Sequence, residues 1–295
     1  MVYWGSLGSR ASTVWLKYLG HAVRTWRLLA AERPGAVFVM TPPVFAPLVA
    51  WVYCATHGCR LVLDAHTAAF LHPRWRWFQW LQFWLSRRAA TTIVHGPHLK
   101  ELIERNGGRA IIVEDIPVHF PEGGAYPLPD GFNIAVVCSF NPDEPVASVL
   151  EAASRRPDTT FHLTGDARAL DADLRQNLPP NVQLTGFLSD AAYGFLIAHA
   201  DAVMALTTRD HTMLRGAWEA VYQETPVIVS DWPVLRHAFD DGAIHVDNTP
   251  DRIVEAVDEL RENIGRYREG VRALRRRKEQ RWMAVRQELR ASISR

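Results

Sequence analysis

From Val14 the apolar and aromatic residues recur as Val14, Trp15, Tyr18, Leu19, Ala22, Val23, Trp26 and Leu29, the spacing of a helix with one buried face. Pro34 and Gly35 stop it. Ala36 to Met40 is then a short apolar run closed by Thr41-Pro42-Pro43, the pattern of a buried parallel strand. The alternation continues. Helical Val44 to His57 leads into strand Arg60 to Asp64, helical Arg74 to Arg88 into strand Thr91 to His95, and helical Pro97 to Arg105 into strand Ala110 to Val113. Strands that alternate with helices predict a parallel sheet covered by helices.

Glu114 to Gly131 is rich in proline and glycine and is the expected domain boundary. A second alternation follows. Strand-like Asn133 to Cys138, Thr159 to Thr164, Val182 to Thr185, Ala202 to Ala205 and Pro226 to Ser230 are separated by helical Glu144 to Ser154, Asp190 to His199 and Thr212 to Tyr222. Pro250 to Arg295 reads as helix. The expected fold class is therefore α/β with two Rossmann-like domains, residues 1–125 and 126–268, followed by a basic C-terminal helix at 269–295.

The length of 295 residues suits two domains. With 33 basic and 32 acidic side chains and a net charge of +1, no global field points to nucleic acid. Cys54, Cys59 and Cys138 are odd in number and form no Cys-x-x-Cys pair. This argues against a disulfide framework or a cysteine-rich zinc site and fits a reducing compartment. The longest apolar run, Val44 to Ala55, contains Pro47 and is too short to span a bilayer. With no secretion-signal pattern in the first residues, the expected location is cytoplasmic.

Ligands of parallel α/β sheets sit beyond the carboxyl ends of the strands. There the second half carries Ser139-Phe140-Asn141, Gly165-Asp166, Gly186-Phe187, Thr207-Thr208-Arg209-Asp210 and Asp231-Trp232-Pro233. Neither glycine loop matches a dinucleotide or Walker motif. In the first half, Asp64 and His66 stand two residues apart at a strand end, so both point the same way. A carboxylate on one imidazole nitrogen fixes the tautomer and frees the other for a substrate hydroxyl. His66 with Asp64 is the candidate catalytic pair, and a His66 satisfied within its own loop stays open as the alternative. His95 and His98 read as caps of a strand-to-helix turn, and Asp166 and Asp231 as strand-end caps.

Pro179-Pro180-Asn181-Val182-Gln183-Leu184-Thr185-Gly186-Phe187, Ala200-Asp201-Ala202, Gly216-Ala217-Trp218-Glu219-Ala220 and Pro226-Val227-Ile228-Val229-Ser230-Asp231 together resemble the donor domain of group 1 glycosyltransferases. The resemblance covers most of residues 133–260. More weakly, Val62-Leu63-Asp64-Ala65-His66 resembles the family's strand ending in histidine. It implies the GT-B architecture, two Rossmann-like domains facing across a cleft, with acceptor in the first and nucleotide-sugar in the second. Glu219 matches the second glutamate of the family's paired-glutamate motif, which accepts hydrogen bonds from the ribose hydroxyls. The first glutamate falls at His211, a departure at the sugar-proximal position. The amides of Thr212, Met213 and Leu214, opening the expected helix, would hold the diphosphate, with Arg209 adding charge and Ser139 and Gly165 lining the donor side. Asn141-Pro142-Asp143-Glu144 stands where the family has a basic pair. Family members begin with a strand and a glycine-containing loop, whereas this chain enters a helix, so the first domain is expected to be reduced or the sequence a fragment.

The activity so implied is metal-independent transfer of a sugar, of the hexosyltransferase type, from a UDP- or GDP-linked donor to a hydroxyl acceptor, lipid-linked or polysaccharide. The nucleotide-sugar is substrate, and no separate cofactor or metal is expected; Asp171-Ala172-Asp173 is a chance likeness to the metal-binding motif of another glycosyltransferase class. A non-catalytic nucleotide-sugar-binding or scaffold protein and a nucleotide-sugar epimerase remain the alternatives. For Glu219 itself, the rival reading is an ion pair with Arg215 at i, i+4. Trp75, Trp77, Phe78, Trp80, Leu81, Phe83, Trp84 and Leu85 crowd one helix and leave Arg76, Gln79, Gln82 and Ser86 as a polar stripe. Such a helix either rests on the inner face of a membrane, near a lipid-linked acceptor, or is buried. The basic cluster Arg272, Arg275, Arg276, Arg277 and Lys278 would add attraction to anionic lipid.

Overall fold

The computed structural model describes residues 14–66, 68–71, 73–210 and 212–294. The chain forms two compact units, residues 1–116 with 281–295, and residues 117–280.

The first unit runs α1 (Val14–Glu32), β1 (Ala36–Thr41), α2 (Phe45–His57), β2 (Arg60–Ala65), α3 (Ala68–Leu71), α4 (Gln79–Ser86), β3 (Thr91–Val94), α5 (Pro97–Arg105) and β4 (Ala110–Ile112). Its four strands pair in sequence order, all parallel. Leu61 and Leu63 of β2 pack with Tyr53 and Cys54 of α2 and Leu85 of α4, while Val94 packs with Phe70, Leu99 and Ile103. The sheet thus packs into two separate cores.

Two expectations change here. Cys54 and Cys59 form a disulfide, because Gly58 caps α2 in the left-handed conformation, φ 72°, and turns the chain back on the helix end. The cysteine count therefore no longer speaks for a reducing compartment. The expected helix at Arg74 to Arg88 is instead a 3-10 segment, Pro73–Phe78, followed by α4. Along it Gln82 and Ser86 of the polar stripe are buried together with Leu81 and Leu85, with Thr41 Oγ1 donating to Gln82 Oε1 at 2.8 Å, while Trp77 and Trp80 are 79% and 66% exposed.

The second unit runs β5 (Phe132–Val136), α6 (Val146–Ser154), β6 (Thr159–Thr164), α7 (Ala172–Gln176), β7 (Val182–Gly186), α8 (Asp190–His199), β8 (Ala202–Ala205), α9 (Arg215–Tyr222), β9 (Val227–Ser230), α10 (Pro233–Ala238), β10 (Ala243–Val246) and α11 (Pro250–Glu262). The strands form one parallel sheet in the order β10-β9-β8-β5-β6-β7. Each face of this sheet has its own core, one around Phe161, Leu163, Met204 and Ile228, the other around Val203, Val227, Leu196 and Trp218. Gly216 lets α9 begin against β5, since a Cβ there would stand 2.5 Å from Val137 Cγ1. β10 was not expected from the sequence.

The C-terminal helix is not a separate element at 269–295. It is one helix, α12 (Ile264–Ser294), whose residues up to 280 belong to the second unit and the rest to the first. In the second unit Arg272 and Arg275 pair with Glu224, and Arg277 with Asp240 and Asp241. Lys278 is buried with Nζ 4.4 Å from the Trp218 ring centre. Four of the five side chains of the basic cluster thus have a partner within this unit. In the first unit Leu289 packs on Ile111 and Val113, and Arg281 pairs with Glu114 at 2.8 Å.

His162 of β6 is fully buried between Tyr126 Oη at 3.1 Å and Asn133 Oδ1 at 2.9 Å. Burial pulls its pKa from 6.5 down to about 4. The unfolded chain then binds a proton that the folded chain refuses, so stability rises with pH across this window. Urea midpoints are expected to hold steady above about pH 6.5 and to fall from there toward pH 4. His162→Gln is expected to flatten that slope in part, the remainder coming from His245, whose pKa burial also lowers.

Candidate functional site

In the second unit the chain starts at β5, builds outward to β7, then returns to the other side of β5 for β8. The strand order reverses between β5 and β8, and at such a point the loops beyond the two strands diverge to leave a crevice. The loop after β5 is closed by Glu144, whose Oε2 accepts from the amides of Ser139 at 2.9 Å and Asn141 at 2.8 Å. Asp143 ties this loop to the one after β8. Its carbonyl accepts from Thr208 N–H at 2.7 Å, and its carboxylate accepts from Thr207 Oγ1 at 3.3 Å and faces Arg209 at 3.5 Å.

Thr207 is fixed from the other side as well. Its amide donates to Ser230 Oγ at 2.8 Å, and its carbonyl accepts from Trp232 Nε1 at 2.9 Å and Asn248 Nδ2 at 3.0 Å. The sequence placed Thr207 in a strand-end loop and Asp143 where the family has a basic pair without giving either a role, and it did not point to Asn248.

The expected site residues fall around this crevice. Arg209 keeps an exposed side chain, 66%, beside the 17% exposed Asp143. Gly165 has φ +93°, and a Cβ there would stand 2.5 Å from the Cys138 carbonyl, so glycine is required for β6 to close on the end of β5. Burial, with the charge of Glu144 adding, pushes the Cys138 thiol up to about 12, which leaves it unreactive. His211 lies outside the described residues. Thr212, Met213 and Leu214 do not open the helix as expected. Leu214 is extended, ψ 101°, and α9 starts at Arg215, so the unsatisfied helix-terminal amides begin with Arg215, Gly216 and Ala217.

Glu219 lies on α9 and is 8% exposed. The ion pair with Arg215 is formed, Nε to Oε1 at 2.8 Å, and Tyr193 of α8 donates to Oε2 at 2.7 Å. Burial, then the charge of Glu219, raises the Tyr193 pKa well above its ordinary value, so the phenol stays a donor. A carboxylate has about four lone-pair sites, and these two partners orient it while leaving acceptor capacity on each oxygen.

Of the strand-end aspartates Asp166 caps as read, whereas Asp231 is no cap, since α10 has Trp232 as its N-cap without a side-chain bond. Asp166 accepts from the Arg168 amide and pairs with its guanidinium, which holds the Asp166 pKa at about 2. Asp231 pairs with Arg236. Asp171 caps α7 by accepting from the amides of Asp173 and Leu174, a structural role for the Asp171-Ala172-Asp173 segment.

In the first unit, Asp64 ends β2 and His66 follows it. The Asp64 Oδ1 and His66 Nε2 atoms are both buried, and neither has a hydrogen-bond partner. The neighbour they do have is His95, after β3, whose ring centre is 5.1 Å from that of His66. His95 is not a cap. Its Nδ1 meets the Val113 carbonyl at 2.9 Å, and α5 starts at Gly96 with no side-chain cap.

Against known proteins, residues 133–263 match the family model described as Glycosyl transferases group 1. No curated protein sequence matches the chain. Among solved structures, Anabaena Alr3699/HepE in complex with UDP-glucose is similar with a TM-score of 0.67 at 16% identity, over 95% of this chain and 83% of that one. Sucrose-phosphate synthase from Thermosynechococcus elongatus gives 0.65 at 14%, over 96% and 80%. A glycosyltransferase from Rickettsia africae gives 0.67 at 12%, over 99% and 83%. At these identities the likeness is one of fold. The parallel sheets of the two units match the GT-B fold of these structures, and the switch-point crevice and Glu219 lie within the segment that matches the group 1 family model.

Proposed function

We propose that this protein transfers a hexose from a UDP- or GDP-linked donor to a hydroxyl acceptor. The observation that carries the reading is Glu219, a nearly buried carboxylate fixed by Tyr193 and Arg215 at the switch point of a group 1 domain. In this reading it accepts hydrogen bonds from the ribose diol. The diphosphate meets the amides of Arg215, Gly216 and Ala217 and the positive end of α9, and Arg209 swings from Asp143 to the departing phosphate. As the bond from the anomeric carbon to the diphosphate breaks, its electron pair leaves with the phosphate, and the acceptor oxygen bonds to that carbon while its proton passes to the departing phosphate. Donor-side charge is thereby met by amides and arginine and calls for no ion. In the first unit, His66 with Asp64 forms the reactive centre that orients a hydroxyl. A lipid-linked acceptor is favoured by exposed Trp77 and Trp80 beside exposed Arg76, which suit the inner face of a membrane. No helix among the described residues is long and apolar enough to cross one.

A second reading is favoured by Asp143 and Glu144. They place carboxylates where the diphosphate would lie and occupy the Ser139 and Asn141 amides, as in a protein that binds nucleotide-sugar without turnover. Mass spectrometry of UDP- and GDP-sugars incubated with the protein and lipid-linked acceptors separates the two. A glycosylated acceptor supports transfer, and binding without any product supports the second.

Two mutational results are expected. Glu219→Ala weakens UDP or GDP binding, measured by calorimetry, by about 10–100-fold, the worth of hydrogen bonds to a charged group. Tyr193→Phe costs roughly 5-fold, because the carboxylate is retained but freer to rotate. Unchanged binding by Glu219→Ala would remove the ribose contact. In vesicle co-sedimentation, the double substitution Trp77→Ala and Trp80→Ala is expected to cut the bound fraction several-fold, and an equal bound fraction would rule out this face as the membrane contact.

A further inference from the structure

Asp64, His66 and His95 each offer one ligand atom, and the three atoms lie within 4.8 Å of one another. Two adjacent parallel strands build the cluster: Asp64 sits in register with Ile93, so the ends of β2 and β3 emerge side by side. Three features separate it from a chance surface grouping. Asp64 Oδ1 and His66 Nε2 are buried without any hydrogen-bond partner, an arrangement that costs about 1–3 kcal/mol for each group unless a ligand satisfies it. His95 gives its Nδ1 proton to the Val113 carbonyl, which fixes the tautomer and leaves Nε2 as a lone pair, the usual way a ligating imidazole is held. The two rings are also correctly spaced. Metal–nitrogen bonds of about 2.0–2.1 Å in a tetrahedral site set imidazole centres roughly 5 Å apart, and those of His66 and His95 are 5.1 Å apart.

We infer that these residues form a binding site for a first-row divalent transition metal of the zinc class, with Asp64, His66 and His95 as its protein ligands. Two imidazoles and one carboxylate select such an ion over Mg²⁺ or Ca²⁺, which prefer all-oxygen shells. The ligand atoms, within 4.8 Å of one another, have to close by up to about 1.5 Å to reach tetrahedral spacing, a change that side-chain rotation can supply. Three protein ligands leave a fourth position for water or a hydroxyl oxygen. Exposed His95 provides the way in from solvent. The site departs from the metal independence expected of the chain, and it does so away from the donor-side groups on α9. It does not depend on whether the protein turns over a nucleotide-sugar.

The test uses the full chain stripped with EDTA and dialysed. ZnCl2 is titrated in competition with a chromophoric chelator, and CoCl2 is followed by visible absorption. One tight equivalent of Zn²⁺ is expected, together with the intense d–d bands of low-symmetry Co²⁺. His66→Ala and His95→Ala should each weaken Zn²⁺ by at least roughly 10–100-fold, while His98→Ala, on the exposed first turn of α5, should bind as the unaltered protein does. No stoichiometric binding by protein with a folded circular-dichroism spectrum would overturn the site, as would a His95→Ala variant of unaltered affinity. Calorimetry with UDP on the same samples reads the nucleotide site separately, so loss of one site is distinguishable from loss of the other.

Discussion

Asp143 fixes the geometry on which the crevice of the second unit depends. A parallel sheet that reverses its order between β5 and β8 necessarily leaves two loops side by side at the strand ends. Nothing in the sheet itself sets their separation. Here the Asp143 carbonyl holds the Thr208 amide and its carboxylate holds Thr207 and Arg209, while Ser230, Trp232 and Asn248 hold Thr207 from β9 and β10. The loop that feeds α9 is therefore positioned from both sides. With Gly216 against Val137, the N-terminus of α9 and Glu219 one turn later inherit that position.

The same residues set the electrostatics. Asp143 and Glu144 bring negative charge to the place where an anionic group would approach, and Glu144 satisfies two loop amides that an anion would otherwise use. The positive contributions that remain are the open amides at α9 and the exposed guanidinium of Arg209. An exposed arginine 3.5 Å from a carboxylate is weakly held. It can exchange that partner for phosphate at small cost, whereas the Glu144 contacts with the backbone resist displacement. In the proposed function, the crevice would therefore hold a nucleotide more firmly through its sugar diol than through its phosphates.

What could be read from the sequence follows the range of the interactions involved. The strands were legible because each is a short apolar run between breakers, and β10 escaped notice because Ala243–Val246 carries a half-buried histidine in only four residues. Glu219 was legible through its motif and its pairing with Arg215, which is local. Tyr193, 26 residues earlier, was not. Asp64 and His66 share a strand end and so announce themselves by a period of two, while His95 joins them only because β3 lies beside β2. The burial of Gln82 on α4 was not legible for a comparable reason. A buried Thr41 at the end of β1 gives Gln82 a partner, and no pattern within the helix reveals a polar partner on a distant strand. The start of α9 was misplaced by three residues because the extended backbone of Leu214 leaves no mark in side-chain periodicity.

His162 and Glu219 in the second unit and Asp64 and His66 in the first resolve burial in opposite ways, and the contrast bears on where chemistry is concentrated. In the second unit His162 has both ring nitrogens partnered, and Glu219 has a partner on each oxygen. Satisfied networks of this kind rigidify a fold and cost little. In the first unit Asp64 Oδ1 and His66 Nε2 are left without partners at a strand end. That end is also where parallel sheets expose their ligand-facing atoms. Unsatisfied buried groups are uncommon in folded proteins and tend to mark sites where something else completes the shell. The described residues hold other buried atoms without partners, among them Thr91 Oγ1 and Thr92 Oγ1 of β3, Gln82 Nε2 and Ser86 Oγ of α4 and His245 Nε2 in the second unit. At Asp64 and His66 a third ligand atom arrives as well, from His95, with its tautomer fixed by a backbone carbonyl. An orphaned atom alone is a local cost; two of them beside a third ligand atom oriented by its own partner are the arrangement a coordination shell needs.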